Sequence, residues 1–525
     1  MPASVIKKQD PKIFWRWLTI LFFIAYFLLG VIVFDDYGVS VDESFQIKKA
    51  QVNLDYITGK NKELLDYDDR HYGAILAIQL EYLGQYFPDS RDNFLLRHFY
   101  TFFLFYLSSI YLFALLRKSG METWVALIGA VLYVFHPHIF SHSFYNIKDI
   151  PFLAFVVFAL YTLFLFLEKK TWQMAVLHGA MSGLVVVMRL PGIYLWGLTF
   201  VAWGWVFISG VNKWWRWVLV GALYAIVTIS ALIFYMPALW HDPYHELRTF
   251  LSMSLFTWPH KELFMGQFLS PEQYPWYYLP VYFIVTTPIA FLSLYLVGWL
   301  GWITDRKKWN ILKDEQAFKL FLLIVSFLGP LVILILTKPV IYNGWRHAFF
   351  IYPGFVALCA LGGQYLFQAS SKVWHSVYGK VMVSIGLALA LYSLITLAAF
   401  FINSHPLEHV YYNRFAGQTL GVARVNYAMD YWGLADRQAL EEILRKDSRE
   451  KIRVTGIHPY LAEENWKILP KADRKRLVIV GKDEPYDYFI EHFRTRFKPI
   501  MPGNELFIGI YVEDALINAT FKPIP

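Results

Sequence analysis

The sequence predicts an all-α polytopic membrane domain of about 11 transmembrane helices, followed by a small soluble α/β domain. Two observations predict it. The 525 residues are 57% hydrophobic and only 17% charged, whereas soluble domains carry roughly 25% charged residues. The apolar residues also gather into long runs free of Asp, Glu, Lys and Arg, while the last stretch of the chain has balanced charge and short apolar segments.

The charge-free runs fall near 17–34, 98–116, 123–147, 150–167, 171–188, 190–212, 217–241, 273–304, 320–337, 347–371 and 381–407. Each is about as long as the roughly 20 residues a helix needs to cross a hydrocarbon core. Backbone groups in lipid must satisfy one another, so such runs are expected to be helices. Lys7, Lys8, Lys12 and Arg16 precede the first run, and no small-residue cleavage site follows them, which reads as a retained first helix. The single Cys359 lies inside a run and excludes a disulfide within the chain. The formal charge of +8 is spread over helix ends with no basic stripe, which argues against nucleic acid as a partner.

Loop charges set the expected orientation. One alternate set of loops holds the N-terminus, Arg117-Lys118, Lys169-Lys170, Lys213 with Arg216, the segment 305–315, and Lys372 with Lys380. The other set is poorer in Lys and Arg, so the N-terminus is expected in the cytoplasm. Eleven crossings then put the C-terminal domain outside, in the periplasm if the membrane is a bacterial inner membrane. The expected division is 1–402 for the membrane domain, with outer loops 35–93 and 240–275, and 403–525 for the outer domain. In the first loop, Ile47, Ala50, Leu54 and Ile57 recur at helical spacing beside Lys48 and Lys49, as in a helix lying in the membrane interface. In the tail, KIRVTGI, RLVIVG, YDYFIEHF and ELFIGIYV read as strands, and 436–447 reads as an amphipathic helix.

Carboxylates at the outer boundary are few and therefore informative. Asp149 is the one outer carboxylate between residues 93 and 240, and Asp42 with Glu43 follows closely on the first span. Ionisable groups at such places are functional candidates. Cations expected on the same face are Lys148, Arg189, Arg346 with His347, and the loop residues Arg248 and Lys261, near His241, Asp242 and His260. Singly, each cation could be a helix-end residue reaching for water. Together they suggest a pocket for a lipid-attached phosphate. The stretch HPHIFSHSFYNIKDIPF, residues 136–152, places His136, His138 and His142 ahead of the Lys148-Asp149 pair. That spacing is no recognised zinc signature. His142 and Asn146 are expected instead to orient Asp149. Neither a P-loop nor a G-x-S-x-G elbow is present. The sequon NAT at 518–520 is weak evidence of glycosylation.

These blocks resemble the GT-C glycosyltransferases of the protein O-mannosyltransferase and lipid A aminoarabinose transferase group. VDES at 41–44, HPHIFSHSFYNIKDIPF, ALWHDPYHEL with PWYYLPVYFIVTTP in 238–288, GWRHAFFIYP at 344–353 and HVYYNRFAG with MDYWGL in 409–434 carry the likeness. It thins over the last 80 or so residues, and Ile147 stands where the family block has a proline. The resemblance implies a polyprenyl-phosphate-linked sugar donor and a lipid, glycan or protein acceptor at the outer face. It implies transfer by base-assisted inverting displacement. A phosphate leaves as a stable anion, so such a site needs a base for the acceptor and positive charge for the phosphate, without the acid a glycosidase requires. Asp42 is the expected base, with Glu43 beside it. Asp149 is expected to orient Lys148 and the acceptor, or to share a Mg²⁺ or Mn²⁺ with Asp42. Lys148, Arg189, Arg346 and His347 are the expected phosphate ligands, and His142, His241 and Asp242 the substrate-loop residues. A transporter or flippase of a lipid-linked glycan is the alternative, but internal repeats and midplane charges of the transporter kind are not evident.

Overall fold

A computed structural model describes residues 11–209, 214–252, 260–305, 309–495 and 505–523. Lys7, Lys8, Lys213 and the basic triplet 306–308, all used to orient the chain, lie outside the described residues.

Among the described residues the membrane part is mostly helical. In chain order it contains α1 (Pro11–Val33), α2 (Val41–Ile57), α3 (Ile75–Gly84), α4 (Ser90–Lys118), α5 (Thr123–Val134), α6 (Pro137–Tyr145), α7 (Asp149–Lys169) and α8 (Trp172–Met188). There follow α9 (Tyr194–Ile208), α10 (Trp214–Tyr235), α11 (Pro243–Ser252), α12 (Tyr278–Thr286), α13 (Ile289–Thr304), α14 (Glu315–Thr337), α15 (Tyr352–Val373) and α16 (Val377–Ser404). A small hairpin, β1 (Glu262–Phe264) with β2 (Gln267–Leu269), precedes α12.

Among the described residues the charge-free runs fall mainly on helix, but not every run is one straight span. Among the described residues eight helices are long and apolar enough to cross a membrane, or ten if each of two bent pairs is one span. The run 123–147 breaks into α5 and α6 at an angle of 65°, and 273–304 breaks into α12 and α13 at 115°. Both breaks fall at an X-Pro step. His136 before Pro137 and Thr287 before Pro288 are held extended, at ψ 120° and 132°, because a proline ring disfavours the helical region for the residue preceding it. The run 171–188 becomes α8, only 17 residues, about 25 Å at 1.5 Å per residue. It nevertheless carries the chain back from the end of α7 to its beginning, since Arg189 after α8 pairs with Asp149 at the start of α7.

The two ends of the bundle are chemically distinct. At one end Glu168 of α7 meets Lys118 of α4 at 2.7 Å and Lys319 of α14 at 2.6 Å. At the other end lie α2, α6 and the start of α7. Between the ends the helices pack through apolar side chains and, where α13 crosses α15, through glycine. A Cβ on Gly298 would stand 1.8 Å from the Leu358 carbonyl oxygen, and one on Gly362 would stand 1.9 Å from that of Leu294.

The tail adds α17 (Leu420–Asn426), α18 (Ala435–Lys446), β3 (Ile452–Gly456), α19 (Pro459–Lys467), α20 (Lys471–Arg476), β4 (Leu477–Ile479), β5 (Tyr488–His492), β6 (Glu505–Val512) and β7 (Ala515–Lys522). The sheet order is β4-β3-β5-β7-β6, with β3 parallel to β4 and β5, and β7 antiparallel to its neighbours. All four expected strands are present. The fifth, β7, contains the NAT sequon. Its Asn518 is buried and donates to Asp436 Oδ1 at 2.6 Å, which removes it as a glycosylation site. The sheet has its own apolar core of Ala439, Leu440, Ile443, Val454, Leu477 and Ile490. Residues 407–434 belong instead to the main core through Leu407, Val410, Met429 and Trp432.

The tail is clamped to the α2 end of the bundle. Asn465 accepts from the Val39 backbone at 2.9 Å, Arg437 donates to the Tyr37 carbonyl at 2.7 Å, and Arg474 pairs with Asp89 at 2.6 Å.

Candidate active site

Five charged side chains from four segments converge beside this clamp. Asp42 stands in the first turn of α2, Lys148 and Asp149 at the start of α7, Arg189 at the end of α8, and Arg346 just before α15. Arg346 Nη1 lies 3.0 Å from Asp149 Oδ2 and 3.6 Å from Asp42 Oδ2. Lys148 Nζ lies 3.3 Å from the same Asp42 oxygen, and Arg189 pairs with Asp149 Oδ1.

The two carboxylates differ in access. The Asp149 side chain is 1% exposed and that of Asp42 is 25% exposed. Asp149 is also the more firmly held. Asn146 Nδ2 donates to Asp149 Oδ2 at 2.9 Å, and Asn146 Oδ1 accepts from the Asp149 backbone at 2.8 Å. The same Nδ2 lies 2.9 Å from His142 Nδ1, whose Nε2 meets the Tyr431 hydroxyl at 3.1 Å. The Trp432 indole N–H donates to the same Nε2 at 3.3 Å. Asn146 thus links His142 to Asp149. For Asp42, burial alone would raise the pKa, but Lys148 and then Arg346 hold it below the usual carboxylate range.

Arg346 is sandwiched. Its guanidinium lies 4.7 Å from the Trp432 ring centroid and 5.0 Å from that of Tyr342, and its side chain is 2% exposed. A guanidinium so placed combines cation–π contact with forked hydrogen bonding.

Of the other candidate residues, Glu43, His241 and Asp242 stand apart from the cluster, whereas His347 is faced by Arg346, Arg189, Asp149 and Lys148. Glu43 is fully buried, accepts from the Ser40 backbone at 2.7 Å and faces His98 at 3.2 Å. It is therefore a helix-capping residue, turned about 100° around the helix from Asp42. His347 packs edge-on against Tyr342 with ring centroids 4.6 Å apart. His241 and Asp242 are exposed, and Asp242 accepts from the His245 backbone at 3.0 Å at the start of α11. The histidines of 136–142 diverge. His138 meets the Tyr411 carbonyl at 2.8 Å, and His136 faces Thr287 at 3.3 Å.

No cluster of three or more His, Cys, Asp or Glu able to hold a metal exists among the described residues. The pair Asp42 and Asp149 suits Mg²⁺ or Mn²⁺ poorly. Arg346 stands between the two carboxylates, and a divalent ion there would sit among three side-chain cations.

Residues 13–241 match the model of the family described as dolichyl-phosphate-mannose-protein mannosyltransferase. The match bears out the resemblance over those residues, less than half of the chain. That matched part contains Asp42, Lys148, Asp149 and Arg189 and stops short of Arg346. Two crystal structures of ArnT from Cupriavidus metallidurans are similar in shape. The one bound to undecaprenyl phosphate is 10% identical over 97% of each chain, with a TM-score of 0.47. The apo structure is 11% identical over 98% of each chain, also with a TM-score of 0.47. No curated protein matches the sequence.

Sequence reasoning left three contributors unassigned. Tyr342 and Trp432 were within reach, since Trp432 lies inside the block MDYWGL and Tyr342 stands two residues before GWRHAFFIYP, both singled out for the resemblance. Lys49 was read as part of a helix in the membrane interface, yet it is buried.

Proposed function

We propose that this chain is a membrane glycosyltransferase moving a sugar from a polyprenyl-phosphate carrier to an acceptor, on the side of the membrane that bears the C-terminal domain. The observation that carries this reading is the placement of Arg346 Nη1 between Asp42 and Asp149, with Lys148 and Arg189 beside them. Three cations stand against two carboxylates, at helix ends where a lipid phosphate would arrive. The surplus positive charge suits one phosphodiester.

The accessible carboxylate is the base. Asp42 takes the acceptor proton as the acceptor oxygen attacks the anomeric carbon. The bond from that carbon to the phosphate oxygen breaks on the opposite face, and its electron pair leaves with the phosphate. Asp149 is too enclosed to meet substrate and holds Arg346 and Arg189 in place. Arriving phosphate draws Lys148 away from Asp42 and frees the base. Fixed side-chain cations meet the charge of the leaving group, which is the preorganised kind of stabilisation. The family match supports the sugar-phosphate donor, and the loop charges support a cytoplasmic N-terminus with the tail on the opposite side of the membrane.

The test is incubation of the purified protein, reconstituted in sealed vesicles, with a labelled polyprenyl-phosphate sugar and an envelope lipid extract. Release of polyprenyl phosphate, lost in Asp42→Asn, is expected. Movement of intact lipid-linked sugar across vesicles without release would reject the reading in favour of a flippase.

A further inference from the structure

Helix α2 turns a second polar residue toward the cluster. Lys49 follows Asp42 by seven residues, close to two helical turns, so both lie on one face. Helix side chains lean toward the N-terminal end, which directs the Lys49 amine back toward Asp42. The residue is 3% exposed, whereas the adjacent Lys48 is exposed and paired with Glu63 at 2.9 Å.

Lys49 has no carboxylate partner within 4.0 Å among the described residues. The charges facing it are Lys148 at the start of α7, Arg189 at the end of α8, Asp42 on its own helix, and Asp69 on the loop before α3. The Tyr72 ring centroid is 5.9 Å from its Nζ. That loop is fixed against α8, since a Cβ on Gly73 would stand 2.3 Å from the Val187 carbonyl oxygen. Burial, followed by Lys148, brings the Lys49 amine down to about 7. A buried ammonium among like charges is costly unless an anion joins it.

We propose that Lys49 is a phosphate-binding residue that meets the second negative charge of the leaving phosphate. The inference rests on the donor class proposed above. A sugar phosphodiester carries one negative charge, which the surplus of the five-residue cluster matches. Cleavage of the carbon–oxygen bond leaves both bonding electrons on the phosphate oxygen, and the acceptor proton goes to Asp42. The released monoester therefore carries up to two negative charges near neutral pH. Lys49, taking a proton from solvent, supplies the additional positive charge.

The experiment measures binding of farnesyl phosphate, methyl farnesyl phosphate and inorganic phosphate to the full chain in nanodiscs. The parent is compared with Lys49→Met and Lys49→Arg, all checked by thermal melting. The parent is expected to prefer the monoester over the diester. Lys49→Met is expected to lose about tenfold in monoester affinity, as for one lost contact of about 1.4 kcal/mol, with diester binding unchanged. Lys49→Arg is expected to retain most of the preference. An unchanged monoester-to-diester ratio in Lys49→Met would overturn the assignment of Lys49 alone. A Lys49-dependent site filled by inorganic phosphate and not by farnesyl phosphate would assign the residue to a soluble phosphate and overturn the leaving-group role. A parent that binds neither prenyl phosphate would overturn the donor class itself.

Discussion

Lys148 and Asp149 are neighbours in the chain but serve different partners. Lys148 reaches Asp42 at 3.3 Å, while Asp149 is gripped by Arg346 at 3.0 Å and by Arg189. The dipeptide therefore joins the two carboxylates into one charged unit. The start of α7 supplies both a cation, 22% exposed, and an enclosed anion, 1% exposed.

Asp42→Asn is expected to lower transfer by roughly 10²–10⁴-fold, the usual worth of a general base, with donor binding largely retained. Because Lys148 and Arg346 hold the Asp42 pKa below the usual carboxylate range, the base stays ionised above that range. The acidic limb of the rate profile is expected below about pH 4, and the stability this carboxylate contributes is lost only as pH falls through its folded pKa. A pH–rate profile that halves near pH 6 would assign the base to another group.

Arg346→Ala is expected to weaken donor use far more than Arg346→Lys does. The forked guanidinium spans two carboxylates and sits between Trp432 and Tyr342, geometry a point-like ammonium reproduces only in part. The measurement is KM for a polyprenyl-phosphate sugar beside a melting curve. Equal KM in both variants and the parent would reduce Arg346 to a structural tie.

How far the sequence revealed this arrangement follows from which physics each residue obeys. The spans were legible because lipid forces charge-free runs into helix. Their bends were not read, although Pro137 and Pro288 mark them, because counting apolar residues ignores backbone geometry. Asp42 and Asp149 stood out as rare charges at the membrane boundary. Glu43 was misassigned because adjacency in sequence was taken for adjacency in space. Ser40 three residues before Glu43 is a capping-box pattern that indicates its actual use. Lys49 was hidden by a period that also fits a helix in the membrane interface, whereas in the fold it faces the loop carrying Asp69 and Tyr72.

Glu43→Ala is expected to cost stability and spare chemistry. It removes an acceptor for the Ser40 backbone and a partner for His98; loss of a helix cap alone is worth about 0.5–2 kcal/mol. The melting temperature is expected to fall, with kcat per folded molecule near that of the parent. A parent-like melting temperature with abolished turnover would return Glu43 to the reacting centre.

Orientation is open to chemical labelling. In a background lacking Cys359, cysteine at Asp483 in the exposed tail is expected to react with an impermeant maleimide from outside intact spheroplasts. Cysteine at Asp314, beside the start of α14, is expected to be protected until the membrane is opened. The reverse pattern would place the Asp42 cluster on the cytoplasmic face.

Asp149 distinguishes metal-assisted transfer from transfer by fixed cations. If Asp149 held a divalent ion, chelator would abolish activity, and Mg²⁺ or Mn²⁺, which favour oxygen ligands, would restore it. The arrangement argues otherwise, because both Asp149 oxygens already face guanidinium groups and Asn146 fixes the carboxylate. Chelator is therefore expected to leave the parent active. Asp149→Asn keeps the shape but removes the charge, so partial activity with weaker donor binding is expected. Asp149→Ala leaves Arg346 and Arg189 without their shared buried partner, a change that typically costs about 3–5 kcal/mol. Its activity must therefore be read against a melting curve. A folded Asp149→Ala with full activity would mean that this carboxylate does not position the cations. A parent silenced by chelator and rescued by Mg²⁺ would mean that the phosphate charge is met by a metal.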